Sequence, residues 1–72
     1  MTDTTVSPEI RLAGDIAAQF HHRPVEEAAT AIAVHVRQFW DPRMRRALLA
    51  EIDAGAEADP LVTAAAVLLR QA

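Results

Sequence analysis

The sequence predicts an all-α protein, a compact bundle of four short helices. Two observations lead to this prediction. Apolar residues recur every three or four positions, and prolines stand at positions 8, 24, 42 and 60, each just before such a run. The β-branched residues sit singly within this helical spacing instead of alternating with polar residues, so no strand is predicted. We expect a single helical domain from residue 7 to residue 72.

The first helix is predicted to begin at Ser7-Pro8, where the serine oxygen can cap a backbone N–H and the proline has a helical φ. The polar, threonine-rich residues 1–6 before it show no periodicity, and we interpret them as a disordered leader. The helix is expected to end near His21. Its apolar stripe is Ile10, Ala13, Ile16, Ala17 and Phe20.

Pro24 ends the first helix and opens a second, because it disfavours helical geometry at the residue before it. Glu26 and Glu27 in the first turn and Arg37 in the last turn match the helix dipole. The stripe expected to be buried consists of Val25, Ala28 or Ala29, Ile32, Val36 and Phe39.

Asp41-Pro42 and Asp59-Pro60 repeat the combination of cap and proline, so a third helix is predicted from Pro42 to Ala54 and a fourth after Pro60. Gly55 suits the left-handed conformation that stops a helix. Trp40 falls between the second and third helices, where its ring is expected to fill the junction. The fourth helix is apolar on more than one side, which indicates that part of it faces a partner.

Composition limits what the chain can do by itself. Folding 72 residues hides only about 60% of the unfolded surface, and the chain has no cysteine to strengthen a small core with disulfides or thiolate-bound zinc. No apolar run reaches the roughly 20 residues of a membrane span, and no secretory signal pattern is visible, so we expect a cytoplasmic protein. The net charge of −3 argues against a nucleic-acid partner.

Residues for catalysis or metal binding are scarce. The chain has no lysine or cysteine and a single serine, so an activated nucleophile is not expected. His21 and His22 are neighbours that point about 100° apart on a helix, which is unfavourable for sharing one ion. We interpret both histidines as helix-end residues near free carbonyls. No enzymatic activity and no bound cofactor are predicted.

Arginines surround the Trp40 corner: Arg37, Arg43, Arg45 and Arg46 lie within ten residues. Planar guanidinium groups pair bidentately with carboxylates and phosphates, so the cluster could face a partner or hold a nucleotide phosphate. Alternatively, Arg37 pairs with Asp41 or another acid and only braces the corner. The candidate partner- or anion-binding residues are Arg37, Trp40, Arg43, Met44 and Arg45.

Three blocks carry a resemblance to a known family. They are the Phe-Trp-Asp-Pro-Arg-Met-Arg run at residues 39–45 with the four residues before it, the Arg-Leu-Ala-Gly-Asp-Ile-Ala run at residues 11–17, and Asp-Pro-Leu-Val at residues 59–62. In these blocks the chain resembles the small delta subunit of soluble, NAD-dependent, molybdenum-containing formate dehydrogenases.

The resemblance implies an accessory subunit whose partners are the other formate dehydrogenase subunits. Those subunits would carry molybdopterin, iron–sulfur clusters and FMN and would use NAD, while this chain would support assembly, cofactor insertion or stability. The alternative that remains open is a small nucleotide- or anion-binding module that uses the arginines around Trp40.

Overall fold

A computed structural model describes residues 7–71, which form four α-helices joined by short connections. Helix α1 spans Pro8–Ala18, α2 spans Val25–Phe39, α3 spans Pro42–Asp53 and α4 spans Pro60–Arg70. The predicted all-α architecture is confirmed, and this part of the chain contains no strand. The leader predicted at residues 1–6 lies outside the described residues. None of the four helices has the length and hydropathy required to cross a bilayer.

Three helices begin with the predicted combination of cap and proline. The side-chain oxygens of Ser7, Asp41 and Asp59 accept hydrogen bonds from backbone N–H groups in the first turns of α1, α3 and α4, at 3.1, 2.8 and 2.8 Å. Each cap satisfies one of the backbone donors that a helix start leaves without a partner. Pro24 precedes α2 with an extended backbone and offers no side-chain cap.

The end of α3 confirms the role of Gly55, whose φ is +97°. Its backbone N–H donates to the carbonyl of Ile52, and the next N–H, of Ala56, donates to the carbonyl of Glu51, both at 3.0 Å. This is the hydrogen-bond pattern of a Schellman C-cap, in which glycine takes the left-handed position at little cost.

The end of α1 differs from the prediction, because the helix stops at Ala18 and not near His21. From Gln19 onward the backbone forms tighter hydrogen bonds that span three residues instead of four, as from Phe20 N–H to the Ala17 carbonyl at 2.9 Å. Such a turn narrows the last helical segment and lets the chain reach the extended geometry at Pro24.

The core is one connected cluster of buried side chains drawn from all four helices. Helices α2 and α4 make the most extensive contact, and α1 packs against α3 and touches α2 and α4. Alanines explain the close approach, because small side chains at a helix contact shorten the distance between the axes. The alanines buried on these two helices are Ala28, Ala29, Ala33, Ala65 and Ala66.

The buried stripe predicted for α2 is correct in its middle and wrong at both ends. Ile32 and Val36 are almost fully buried, whereas Val25 is 58% exposed and Phe39 is 71% exposed. With 15 residues, α2 is about 22 Å long, and the 11 residues of α4 reach about 16 Å. The C-terminal end of the stripe, at Phe39, therefore runs past α4. Val25 lies level with α4 but borders the open groove that Ala64 and Leu68 also line.

Two contacts between side chains connect distant parts of residues 7–71. His21 Nε2 lies 2.6 Å from the second carboxylate oxygen of Asp59, which links the turn after α1 to the start of α4. Arg70, in the last turn of α4, donates to the carboxylate of Asp53 at the end of α3. His21 was expected near free helix-end carbonyls, and it pairs with a carboxylate instead.

We expect Asp59→Ala to lower the free energy of unfolding by about 1–2 kcal/mol, because the substitution removes both the cap of α4 and the contact with His21. Urea denaturation measures the change. Asp41→Ala is the matched control, since it removes a cap without a histidine contact and should cost about 1 kcal/mol. Equal losses in the two variants would show that the His21 contact contributes nothing.

Candidate functional site

Trp40 and Met44, two of the five candidate residues, belong mainly to the core. Trp40 follows the last residue of α2, is 8% exposed, and donates its backbone N–H to the Val36 carbonyl at 2.9 Å. Met44 is half-buried and packs against the same core cluster. The expectation that the indole ring fills the junction between α2 and α3 agrees with this placement. The indole ring therefore offers little surface to a partner.

Arg37 binds a backbone carbonyl and not a carboxylate. Its Nη2 donates to the Leu68 carbonyl oxygen in the last turn of α4 at 2.6 Å. The Leu68 carbonyl also accepts the backbone N–H of Gln71 at 3.2 Å, so the guanidinium is its second donor. A cation is favourable there, because the last turn of a helix carries its partial negative charge. The alternative in which Arg37 pairs with Asp41 or another acid is not seen among residues 7–71, and the Asp41 carboxylate caps α3 instead. Arg37 thus connects α2 to α4.

Arg37, Arg45 and Arg46 line one cleft between the end of α2, the first half of α3 and the end of α4. Its volume is about 220 Å³, and we call it the arginine cleft. Its apolar walls are Pro42, Leu49 and Leu69. Arg43 is exposed on the first turn of α3 and does not line the cleft, so the structure separates it from the other arginines of the cluster.

The arginine cleft is electropositive. Within residues 7–71, no carboxylate lies within 4.0 Å of the guanidinium groups of Arg37, Arg45 or Arg46. The arginines that do form ion pairs in this part of the chain are Arg23 and Arg70. Three like charges around one small cleft, none of them in an ion pair within the described residues, favour an anionic group there.

Phe39 is a surface residue that sequence reasoning missed. At 71% exposed it is the most exposed large apolar side chain in residues 7–71. The centroids of the Phe39 and His35 rings are 4.8 Å apart, and the ring planes are inclined at 42°. The relevant signal was the length of α2, since a stripe residue in the last turn of a helix longer than its neighbours has nothing to cover it. Phe39 and Trp40 are adjacent and lie in opposite environments.

A shallow groove follows the contact between α2 and α4. At the start of α2 the groove has a volume of about 220 Å³ and mostly apolar walls. A second depression of about 240 Å³ continues along α2 toward Arg37 and shares Thr30 and Leu68 with the first. The walls of the first depression are Val25, Glu26, Ala29, Thr30, Ala64 and Leu68.

Comparison with known protein families gives a match over most of the chain. The family model described as NADH-dependent formate dehydrogenase delta subunit FdsD matches residues 10–66 of this chain. The chain belongs to this delta-subunit family. The match extends over most of the 72 residues, including α2, α3 and every arginine of the cluster. No curated protein and no solved structure matches the chain.

The delta-subunit fold brings together only part of the predicted site. Arg37 and Arg45 share the arginine cleft, and Arg46 joins them. Arg43 stays apart, while Trp40 and Met44 contribute to the core. Among residues 7–71, no three His, Asp or Glu side chains are grouped in a way that could hold a metal ion.

Arg37→Met in this delta-subunit chain is expected to lower the free energy of unfolding by about 1 kcal/mol. Methionine keeps much of the apolar stem, but the Leu68 carbonyl loses its charged donor. Arg43→Met is the control, because Arg43 is exposed and its side chain has no hydrogen bond or ion pair within residues 7–71. It should change the stability by less than about 0.5 kcal/mol in urea denaturation. A loss for Arg43→Met as large as that for Arg37→Met would contradict the assignment.

Proposed function

We propose that this chain is a non-catalytic accessory subunit of a cytoplasmic, molybdenum-containing, NAD-dependent formate dehydrogenase. It binds other subunits of the complex and supports assembly, cofactor insertion or stability. The family match supports formate dehydrogenase as the complex to which the chain belongs. The surface around Phe39 supports the mode of action, which is binding to protein.

The exposure of Phe39 is the observation that carries the proposal. Burying a phenylalanine side chain gains about 1.5–3 kcal/mol, so a ring left 71% exposed retains most of that gain for a partner. Residues that dominate the binding energy of interfaces are most often large side chains that enter a pocket of the partner. Val25, Val34 and Val67 add exposed apolar surface on α2 and α4.

The residue inventory supports a non-catalytic role. The chain has no lysine or cysteine, and Ser7, its one serine, is occupied as the cap of α1. A nucleophile activated by a neighbouring base is therefore not available from these residue types. Stabilising a complex requires only a complementary surface, which a small helical domain can provide.

The cofactors of the complex are assigned to its other subunits. Iron–sulfur clusters are held by cysteine thiolates, and this chain has no cysteine. Molybdopterin, FMN and NAD exceed the 220 Å³ of the arginine cleft, since pockets for whole ligands usually measure about 300–1,000 Å³. We therefore propose that this chain binds none of these groups itself.

The proposal is tested by expressing the formate dehydrogenase subunits with a tagged form of this chain and, in parallel, without it. We expect the tagged chain to co-purify with the other subunits. Complex made without it should be less abundant or should contain less cofactor per catalytic subunit. A tagged chain that binds none of the subunits, together with full assembly in its absence, would contradict the proposal.

A further inference from the structure

The arginine cleft combines three guanidinium groups with apolar walls. We infer that it receives an acidic segment of a partner subunit, with one apolar side chain against Pro42, Leu49 and Leu69 and carboxylates on Arg45 and Arg46. This inference rests on the proposed function and names the chemistry of the partner surface. The arginine cleft and the Phe39 ring would then act as two parts of one contact region at the junction of α2 and α3.

Charge is the first argument. The whole chain carries a net charge of −3, yet four of its seven arginines fall between residues 37 and 46. Asp41 is the one acid in that interval, and its carboxylate is occupied by the N-terminus of α3. The positive charge is thus concentrated in one place on an acidic protein, and a carboxylate from outside is its complement.

The volume and the lining of the cleft favour a peptide segment over a nucleotide or a small oxyanion as its ligand. A nucleotide requires more than the available 220 Å³. A free phosphate would fit, but it would lie against three apolar walls and lose hydration there without compensating contacts. One apolar side chain flanked by carboxylates satisfies both the walls and the guanidinium groups.

Most of the cleft is built on helix α3, and one of its arginines is held by a hydrogen bond, which reduces the conformational entropy lost on binding. Pro42, Arg45, Arg46 and Leu49 all lie on α3, and Arg37 is fixed by its bond to the Leu68 carbonyl. Arg45 is half-buried, so part of its motion is already restricted. Groups placed on helices and braced by neighbours bind more tightly than the same groups on a mobile loop.

The test measures binding of the full-length chain to the formate dehydrogenase complex prepared without it. We expect the double variant R45E/R46E to weaken binding about tenfold or more, and we expect wild-type binding to weaken as sodium chloride is raised. R11E/R23E is the matched control, because it makes the same change of charge at exposed arginines that lie outside the cleft and away from the junction of α2 and α3. It should stay within about threefold of the wild type.

The outcomes separate a failure of the inference about the cleft from a failure of the proposed function. If the wild type fails to bind the complex, the proposed function fails. If the wild type and R45E/R46E bind equally well, with both folded by circular dichroism, the inference about the cleft fails and the proposed function stands. Equal weakening by R11E/R23E would show a general effect of net charge and would contradict a specific role of the cleft. Saturable calorimetric binding of sodium phosphate or ADP that is lost in R45E/R46E would overturn the acidic-peptide inference.

Discussion

Replacing Trp40 by alanine should lower the free energy of unfolding by about 3–5 kcal/mol, the cost usually seen when a large buried aromatic ring is removed from a core. Trp40 is 8% exposed and joins the same buried cluster as Val36 and Leu48. A domain of 72 residues is expected to have about 4–11 kcal/mol of stability in total. The loss therefore equals about a quarter or more of that stability, so the urea midpoint should fall sharply, and a wild type at the lower end of the range would be left without a stable fold.

Phe39→Ala is the internal control for this prediction. The two residues are neighbours in sequence, but the Phe39 ring is 71% exposed and its one ring neighbour is His35. Its loss should change the stability by less than about 1 kcal/mol. Urea denaturation of the two variants side by side provides the measurement. Similar losses of stability in both would show that the junction between α2 and α3 is packed differently.

Phe39→Ala should nevertheless weaken binding to the formate dehydrogenase complex by about 2 kcal/mol, or roughly 30-fold, as expected for a large side chain at the centre of an interface. The ring is exposed in the isolated chain, so its removal affects folding little. In the proposed complex a partner covers the ring, so its removal weakens binding. Affinity is measured by titrating the variant into complex prepared without the delta subunit.

Leu12→Ala is the control for binding, because it also removes an exposed large apolar side chain, but from α1. Leu12 is also an exposed large apolar residue, at 45%, and it lies on α1, far in sequence from the Trp40 corner. We expect its replacement to change the affinity less than threefold. A loss at Leu12 that equals the loss at Phe39 would mean that binding does not centre on the end of α2.

The helix starts could be predicted closely because their causes are local. A side-chain oxygen followed by proline fixes Ser7-Pro8, Asp41-Pro42 and Asp59-Pro60 without reference to the rest of the fold, and all three caps are formed. The stop at Gly55 was equally visible, since glycine takes a positive φ at little cost.

The ends of α1 and of the α2 stripe were missed because they depend on tertiary geometry. Periodicity shows which side of α2 faces the core, but it shows neither how far α4 extends along that side nor where the two helices leave a groove between them. The first decides the exposure of Phe39 and the second that of Val25, so the prediction that both are buried is wrong. The early end of α1 follows from the path that the chain takes to Pro24, which no residue before His21 indicates.

The candidate site was predicted in part. The sequence shows that the arginines are close together along the chain. Which of them face the same cleft depends on helical phase and on packing between helices. These two factors place Arg46 in the cleft and leave Arg43 outside it. The partner of Arg37 could not be foreseen, because the Leu68 carbonyl is 31 residues away and any carbonyl in the last turn of a helix can accept such a bond.

Photocross-linking from position 39 tests most directly whether this chain works by binding other subunits through its exposed corner. A photoreactive benzoylphenylalanine in place of Phe39 should remain compatible with folding, because the site is exposed. Irradiation of the co-purified formate dehydrogenase complex should then give a covalent adduct between this chain and another subunit. A complex that co-purifies intact but gives no adduct from position 39 would contradict the assignment of this surface as the contact.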